Sequence, residues 1–100
     1  MSLFGRAPIV LNKYHLREWP KGAVNIMRPG PLGNDFIVGR HGTRDECVDA
    51  HMEQARARIK TDPVFAAVIK DLWGRNLICC CKPKRCHGDN YVILCEELNQ

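Results

Sequence analysis

No stretch of this 100-residue chain approaches the ~20 consecutive apolar residues that a membrane-spanning helix requires, so no bilayer crossing is expected. The opening residues MSLFGRAPIVLNKYH hold neither the apolar core nor the small-residue cleavage site of a secretory signal, and the expected location is the cytoplasm. A large excess of one charge is also missing. Fifteen Lys and Arg stand against 11 Asp and Glu, a formal charge of +4, which permits a phosphate-bearing partner without demanding one. Aromatic and basic residues do not interleave, so no single-strand stacking platform is marked. There is no internal repeat, low-complexity segment or linker, and neither a Walker A loop nor a dinucleotide fingerprint occurs. A spaced disulfide framework is absent too: four of the six cysteines crowd together as Cys79, Cys80, Cys81 and Cys86. In a reducing compartment such residues are thiols, metal ligands or redox groups.

What is present fits one compact soluble domain over residues 1–100, with 45% hydrophobic and 26% charged residues. Ile9-Val10-Leu11, following Pro8, reads as a first strand, and Ala23 to Met27 as a second. Between them Asn12 to Gly22 reads as a surface connection whose Trp19 covers an edge of the core. Phe36-Ile37-Val38 is a third short strand candidate. Thr43 with Glu46 three positions on is a capping-box pattern for a helix from about Arg44, and Val48, Met52, Ala55 and Ile59 form its apolar stripe. Cys47 and His51 are spaced four apart, which is read as incidental rather than as half of a metal site. Asp62-Pro63 starts a second helix with Phe65, Val68, Ile69 and Leu72 inward and Trp73 at the edge. Leu77 to Cys81 reads as a buried strand, and a last helix opens at Cys86 with Tyr91, Val92, Cys95 and Leu98 at helical spacing. Cys80 and Cys95 are expected to pack in the core. The expected fold is α/β: a small domain of two or three layers, with a short, partly parallel sheet of three to five strands and about three helices.

Two stretches carry chemistry. Arg28-Pro29-Gly30-Pro31-Leu32-Gly33-Asn34-Asp35 is too rich in Pro and Gly for regular structure. Read as an anion-binding loop, it offers close backbone approach at Gly30 and Gly33, with Arg28 as a cationic fork and Asn34 as an amide. Read plainly, it is a rigid turn. The second stretch is Leu77 to Asp89, LICCCKPKRCHGD, where a strand ends in a basic turn and passes to a helix start. Three chemistries follow. Cys79, Cys81, Cys86 and His87 are a Cys₃His set for zinc, and three thiolates could hold an iron–sulfur cluster, although the C-x-C-x₄-C-H spacing departs from the standard sites. Cys86, at a helix N-terminus beside His87 and the Lys82, Lys84 and Arg85 cluster, suits an activated nucleophile, with Asp89 orienting His87. Last, the free N–H groups around His87, Gly88 and Asp89 together with Arg28 suit capture of a phosphate or carboxylate.

The segment CxCxPxxCHGD, here Cys79, Cys81, Pro83, Cys86, His87, Gly88 and Asp89, resembles a family of small bacterial and bacteriophage proteins, domain-of-unknown-function family 4326. The resemblance extends to an Arg-Pro-x-x-x-Gly-Asn-Pro-Phe loop followed by Gly-Thr-Arg, seen here as Arg28-Pro29, Gly33-Asn34-Asp35-Phe36 and Gly42-Thr43-Arg44. Asp35 departs from the family's proline. The resemblance runs from about Val24 to Asp89 and implies a bacterial or phage origin, a cytoplasmic α/β domain, one site built from both motifs, and an association with nucleotides or nucleic acids; it brings no reaction.

The leading expectation is a pocket for a phosphate-bearing ligand such as a nucleotide. Arg28, Gly33, Asn34, Thr43 and Arg44 are its binding residues, and Cys86, His87 and Asp89, with Cys81, its reactive set. The alternative from another class is a noncatalytic zinc or iron–sulfur module, held by Cys79, Cys81, Cys86 and His87, that binds nucleic acid or a host protein. A third is an inhibitor of a host enzyme acting through its surface.

Overall fold

A computed structural model describes residues 5–100. Its centre is the strand Asn76–Cys79 (β3), flanked by Ile9–Asn12 (β1) on one side and Val24–Asn25 (β2) on the other, both parallel to it. Leu77 and Ile78 have no exposed surface, although successive side chains of a strand point to opposite faces. A central parallel strand is covered on both faces, and this is why Leu77-Ile78-Cys79 is continuously apolar instead of alternating. Burial of each of the two aliphatic side chains contributes about 1.5–3 kcal/mol.

The long connection from β2 to β3 contains the helices Arg44–Thr61 (α1) and Pro63–Lys70 (α2), which provide the crossover that parallel strands need. The chain then leaves β3 through a basic turn into His87–Leu98 (α3). The three helices pack on one another and α3 lies against β1. No helix among the described residues is long and apolar enough to cross a membrane.

The helix starts follow the sequence signals. Thr43 Oγ1 accepts from Glu46 N at 3.2 Å while Glu46 Oε1 accepts from Thr43 N at 3.0 Å, a complete capping box. Asp62 Oδ1 accepts from Val64 N and Phe65 N at 3.1 and 3.0 Å, with Pro63 in the first turn. Tyr91, Leu94 and Cys95 of α3 meet Ala55, Phe65, Ile69, Leu72 and Leu77 in one core. Cys95 is the core thiol expected, its pKa pushed up to about 11 by burial.

Several expectations are corrected. Phe36 to Val38 is not a strand: His41 N donates to Ile37 O and Ile37 N donates to His41 Nδ1, both at 2.8 Å, which closes this segment into turns. β2 stops at Asn25 because the Asn25 side chain accepts from Met27 N at 2.8 Å and bends the chain away. β3 ends at Cys79 rather than Cys81, since Asn12 and Asn25 are the last residues of the two neighbouring strands. Beyond their ends the chain bends, and Cys80 is exposed instead of packed. Val68 and Trp19 are exposed as well, while Trp73 packs against the core. In α3 it is Leu94 that is fully buried, with Val92 half-buried.

Gly88 sets how closely α3 approaches the sheet. A Cβ at this position would stand 2.8 Å from Ile26 Cδ1 and 3.0 Å from both γ-methyls of Val10, closer than carbon atoms pack. Only hydrogen fits there, so the first turn of α3 rests directly on β1 and on the residue following β2.

Candidate functional site

The carboxyl ends of β1, β2 and β3 and the start of α3 surround a cavity of about 400 Å³. This is the end of a parallel sheet at which α/β folds place ligands. Both motifs reach it. Arg28 and Asn34 from the Pro/Gly loop, Arg44 from the first turn of α1, and Cys79, Cys81, Cys86 and His87 from the cysteine stretch all line the cavity. Gly33, Thr43 and Asp89 do not.

The loop residues are occupied with holding the loop. Arg28 Nη1 donates to the carbonyls of Asn34 at 2.7 Å and Phe36 at 3.5 Å. The Asn34 side chain is buried, accepts from Phe36 N at 2.9 Å and donates to Cys47 O at 3.4 Å. Its amide is therefore a brace between the loop and α1. Gly33 is required by packing: a Cβ there would lie 2.9 Å from the Arg28 backbone, over which the loop folds. Thr43 caps α1 with its hydroxyl. Arg44 makes one hydrogen bond, from Nη1 to Arg85 O at 3.2 Å, and pairs with no carboxylate among the described residues. Arg85 itself is neutralised by Asp45 and Asp49 at 3.0 and 2.7 Å and points away from the cavity.

In the cysteine stretch the thiols of Cys79 and Cys86 lie side by side, Sγ to Sγ 3.8 Å, both almost fully buried in protein. The Cys86 thiol donates to Cys79 Sγ, and the backbone N–H groups of Lys82 and Cys81 add electrostatic support to negative charge on that sulfur. These donors, with the charge of Lys82, hold the Cys79 thiol well below the usual pKa range against the opposing effect of burial. Cys86 is pushed the other way, by its bond to Cys79 first and by burial second. The thiolate of the pair thus belongs at the end of the strand, one turn before the helix start where sequence reasoning placed it.

His87 and Asp89 do not form a relay with Cys86. His87 Nε2 donates to the carbonyls of Ile26 at 2.6 Å and Leu32 at 3.1 Å, an assignment forced by two acceptors. Burial lowers its pKa, so the ring is held neutral. The Asp89 carboxylate accepts from Cys86 N at 3.2 Å and pairs with Lys82, capping α3 and fastening the basic turn to it. The expected set of Cys79, Cys81, Cys86 and His87 is assembled only in part. Cys79 and Cys86 are adjacent, His87 Nε2 is committed to carbonyls, and among the described residues no three His, Cys, Asp or Glu side chains gather in ligating geometry for zinc or an iron–sulfur cluster.

Behind the cavity lies a buried polar network that the sequence did not announce. Asn90 Nδ2 donates to Val48 O at 2.8 Å and to His51 Nδ1 at 3.0 Å; His51 Nε2 is 3.1 Å from Tyr91 Oη, and Tyr91 donates to Leu32 O at 2.9 Å. With Nδ1 accepting, His51 carries its proton on Nε2 and donates it to Tyr91 Oη. Burial first, and the neighbouring His87 second, lower the His51 pKa to about 4. Leu32 O, at the tip of the loop, thereby accepts from two buried side chains, His87 and Tyr91. The one sequence signal was a histidine at a core-facing position of α1, four residues from Cys47. Lys13 and Tyr14 were also missed. They enter the cavity wall because Asn12 Oδ1 accepts from Tyr14 N at 2.8 Å and turns the end of β1 into a 3₁₀ turn, Lys13–His15.

Comparison with known proteins adds relatives but no template. The family described as domain of unknown function (DUF4326) matches residues 10–99. A protein of Enterobacteria phage T4, named as an uncharacterized 12.4 kDa protein in the nrdA-td intergenic region, is 34% identical over 88 residues, which is 88% of this chain and 77% of that protein. No solved structure matches.

Proposed function

This chain belongs to the DUF4326 family, and on that premise we propose that its cavity binds a phosphate-bearing small molecule, of which a nucleotide is the representative, in the cytoplasm of a bacterial or phage-infected cell. One observation carries the reading: Lys13, Arg28 and Arg44 line the cavity, and among the described residues no Asp or Glu does. Uncompensated cations converging on one concave site are matched by an anionic ligand, and guanidinium groups bind phosphate oxygens in forked pairs. Among the described residues Arg28 and Arg44 each commit only Nη1 to protein carbonyls, which leaves further donors for a ligand. Tyr14, Phe36 and Val38 give the same cavity an apolar wall suited to a base or another flat group. A volume of about 400 Å³ is in the small-ligand range of ~300–1,000 Å³, which favours a nucleotide over a nucleic-acid strand.

The test is calorimetric and NMR titration with inorganic phosphate and a panel of nucleoside mono-, di- and triphosphates. Saturable binding that weakens with salt and falls about 10-fold or more in Arg44→Gln is the expected result. An absence of binding across the panel at millimolar concentration removes the proposal.

A further inference from the structure

We propose that Cys79 and Cys86 form a redox-active dithiol, which reduces a small anionic disulfide entering the cavity and closes to an intramolecular disulfide in doing so. The pairing is geometric. The two sulfurs are 3.8 Å apart and both line the cavity, one at the end of β3 and the other at the N-cap of α3. Closing to a bond of about 2 Å brings the two sulfurs roughly 2 Å nearer than they stand. Cys47 and Cys95, the remaining buried cysteines, have no thiol partner in the hydrogen-bond pattern: Cys47 Sγ faces Gly42 O, and Cys95 Sγ faces Lys70 O and Asn99.

The surroundings divide the labour between the two sulfurs. Cys79 Sγ accepts the hydrogen of the Cys86 thiol, and the charge of Lys82 also favours its ionised form, so it is the sulfur on which negative charge is best supported. In the first step Cys79 attacks one sulfur of the incoming disulfide, whose S–S bond breaks to release one thiolate and leave a mixed disulfide on Cys79. In the second, Cys86 gives its proton to the departing thiolate, and its sulfur attacks Cys79 Sγ. The mixed bond then breaks and a second thiolate leaves, taking up a proton from solvent. Two electrons pass from the cysteine pair to the substrate, which becomes two thiols. The preference for an anionic disulfide rests on the cationic wall invoked in the proposed function, whereas the dithiol chemistry does not.

The test uses the full, freshly reduced chain with glutathione disulfide, which carries carboxylates, and with neutral bis(2-hydroxyethyl) disulfide, followed by acid quenching and peptide mass mapping. Expected are a loss of two hydrogens per chain, a linked peptide joining Cys79 to Cys86, and faster reaction with glutathione disulfide at low salt. In Cys86→Ser a stable glutathione adduct on Cys79 should accumulate, and in Cys79→Ser no adduct should form at Cys86. The wild-type map needs no variant to fold. Adducts confined to exposed Cys80, or a purified protein whose cysteines are held by bound zinc and resist oxidation, would overturn the dithiol. Equal rates with the two disulfides alongside the linked peptide would overturn the anionic preference and the cationic-wall reading with it.

Discussion

Gly88 and Ile26 meet so closely that a single added carbon on Gly88 would stand 2.8 Å from Ile26 Cδ1. In Gly88→Ala the first turn of α3 must retreat from β1, at a cost of about 1–3 kcal/mol in urea unfolding, of the order seen for overpacking. Truncating a facing side chain, Val10→Ala, in the same chain should recover part of the loss. Simple additivity of the two substitutions would contradict the contact.

The buried histidines make stability depend on pH. His51 is depressed to about 4 when folded, against about 6.5 in an unfolded chain. The unfolded state therefore binds the extra proton between these values, and stability is full above pH 6.5 and falls as pH drops toward 4. The shift corresponds to roughly 3 kcal/mol, and His87, lowered in the same direction, adds to it. Denaturant midpoints at pH 7, 6 and 5 should decline in the native chain and decline less in His51→Gln. Carboxylates contribute mainly below this window.

Asp89 serves two partners, and Asp89→Ala removes the bond to Cys86 N together with the ion pair to Lys82. Loss of the cap costs about 1 kcal/mol, and the partly exposed pair adds less than that. A melting temperature lower by roughly 4–8 °C is the expected reading for a chain of this size. Asp89→Asn, which keeps an acceptor for Cys86 N, should lose less.

Arg44 and Arg28 separate binding from folding. Arg44 has one exposed hydrogen bond to Arg85 O, so Arg44→Gln should leave the unfolding midpoint nearly unchanged and weaken phosphate-ligand binding about 10-fold or more, the worth of a charged hydrogen bond. Arg28 braces the loop through Asn34 O, so Arg28→Gln should lower both stability and binding. Unfolding and titration on the same samples check the contrast.

Signals confined to one turn of chain were legible in the sequence. Thr43 with Glu46, and Asp62 with Pro63, marked helix starts that the structure reproduces, because a cap needs only neighbours three residues away. The small α/β fold was legible for a related reason: two helices between strands leave a parallel crossover as the natural connection. Long-range pairing was not legible. Nothing near Cys80 says that β1 ends opposite Cys79, and so a residue expected in the core came out on the surface. Likewise Asn34 looked like a ligand donor until Cys47, thirteen residues on, was seen to use its amide. The proximity of Cys79 to Cys86, and the arrival of Lys13 beside both arginines, depend on how three strand ends converge.

The strand order carries a consequence for synthesis. β1 and β2 do not bond to each other; each bonds only to β3, which occupies residues 76–79. A chain emerging from the ribosome therefore carries two strands with no mate until residues 76–79 have been made, and no hydrogen bond of this sheet forms before then. The cysteine turn and α3 follow β3 directly, so the sheet and the cavity at its end come into being together during synthesis, as one event.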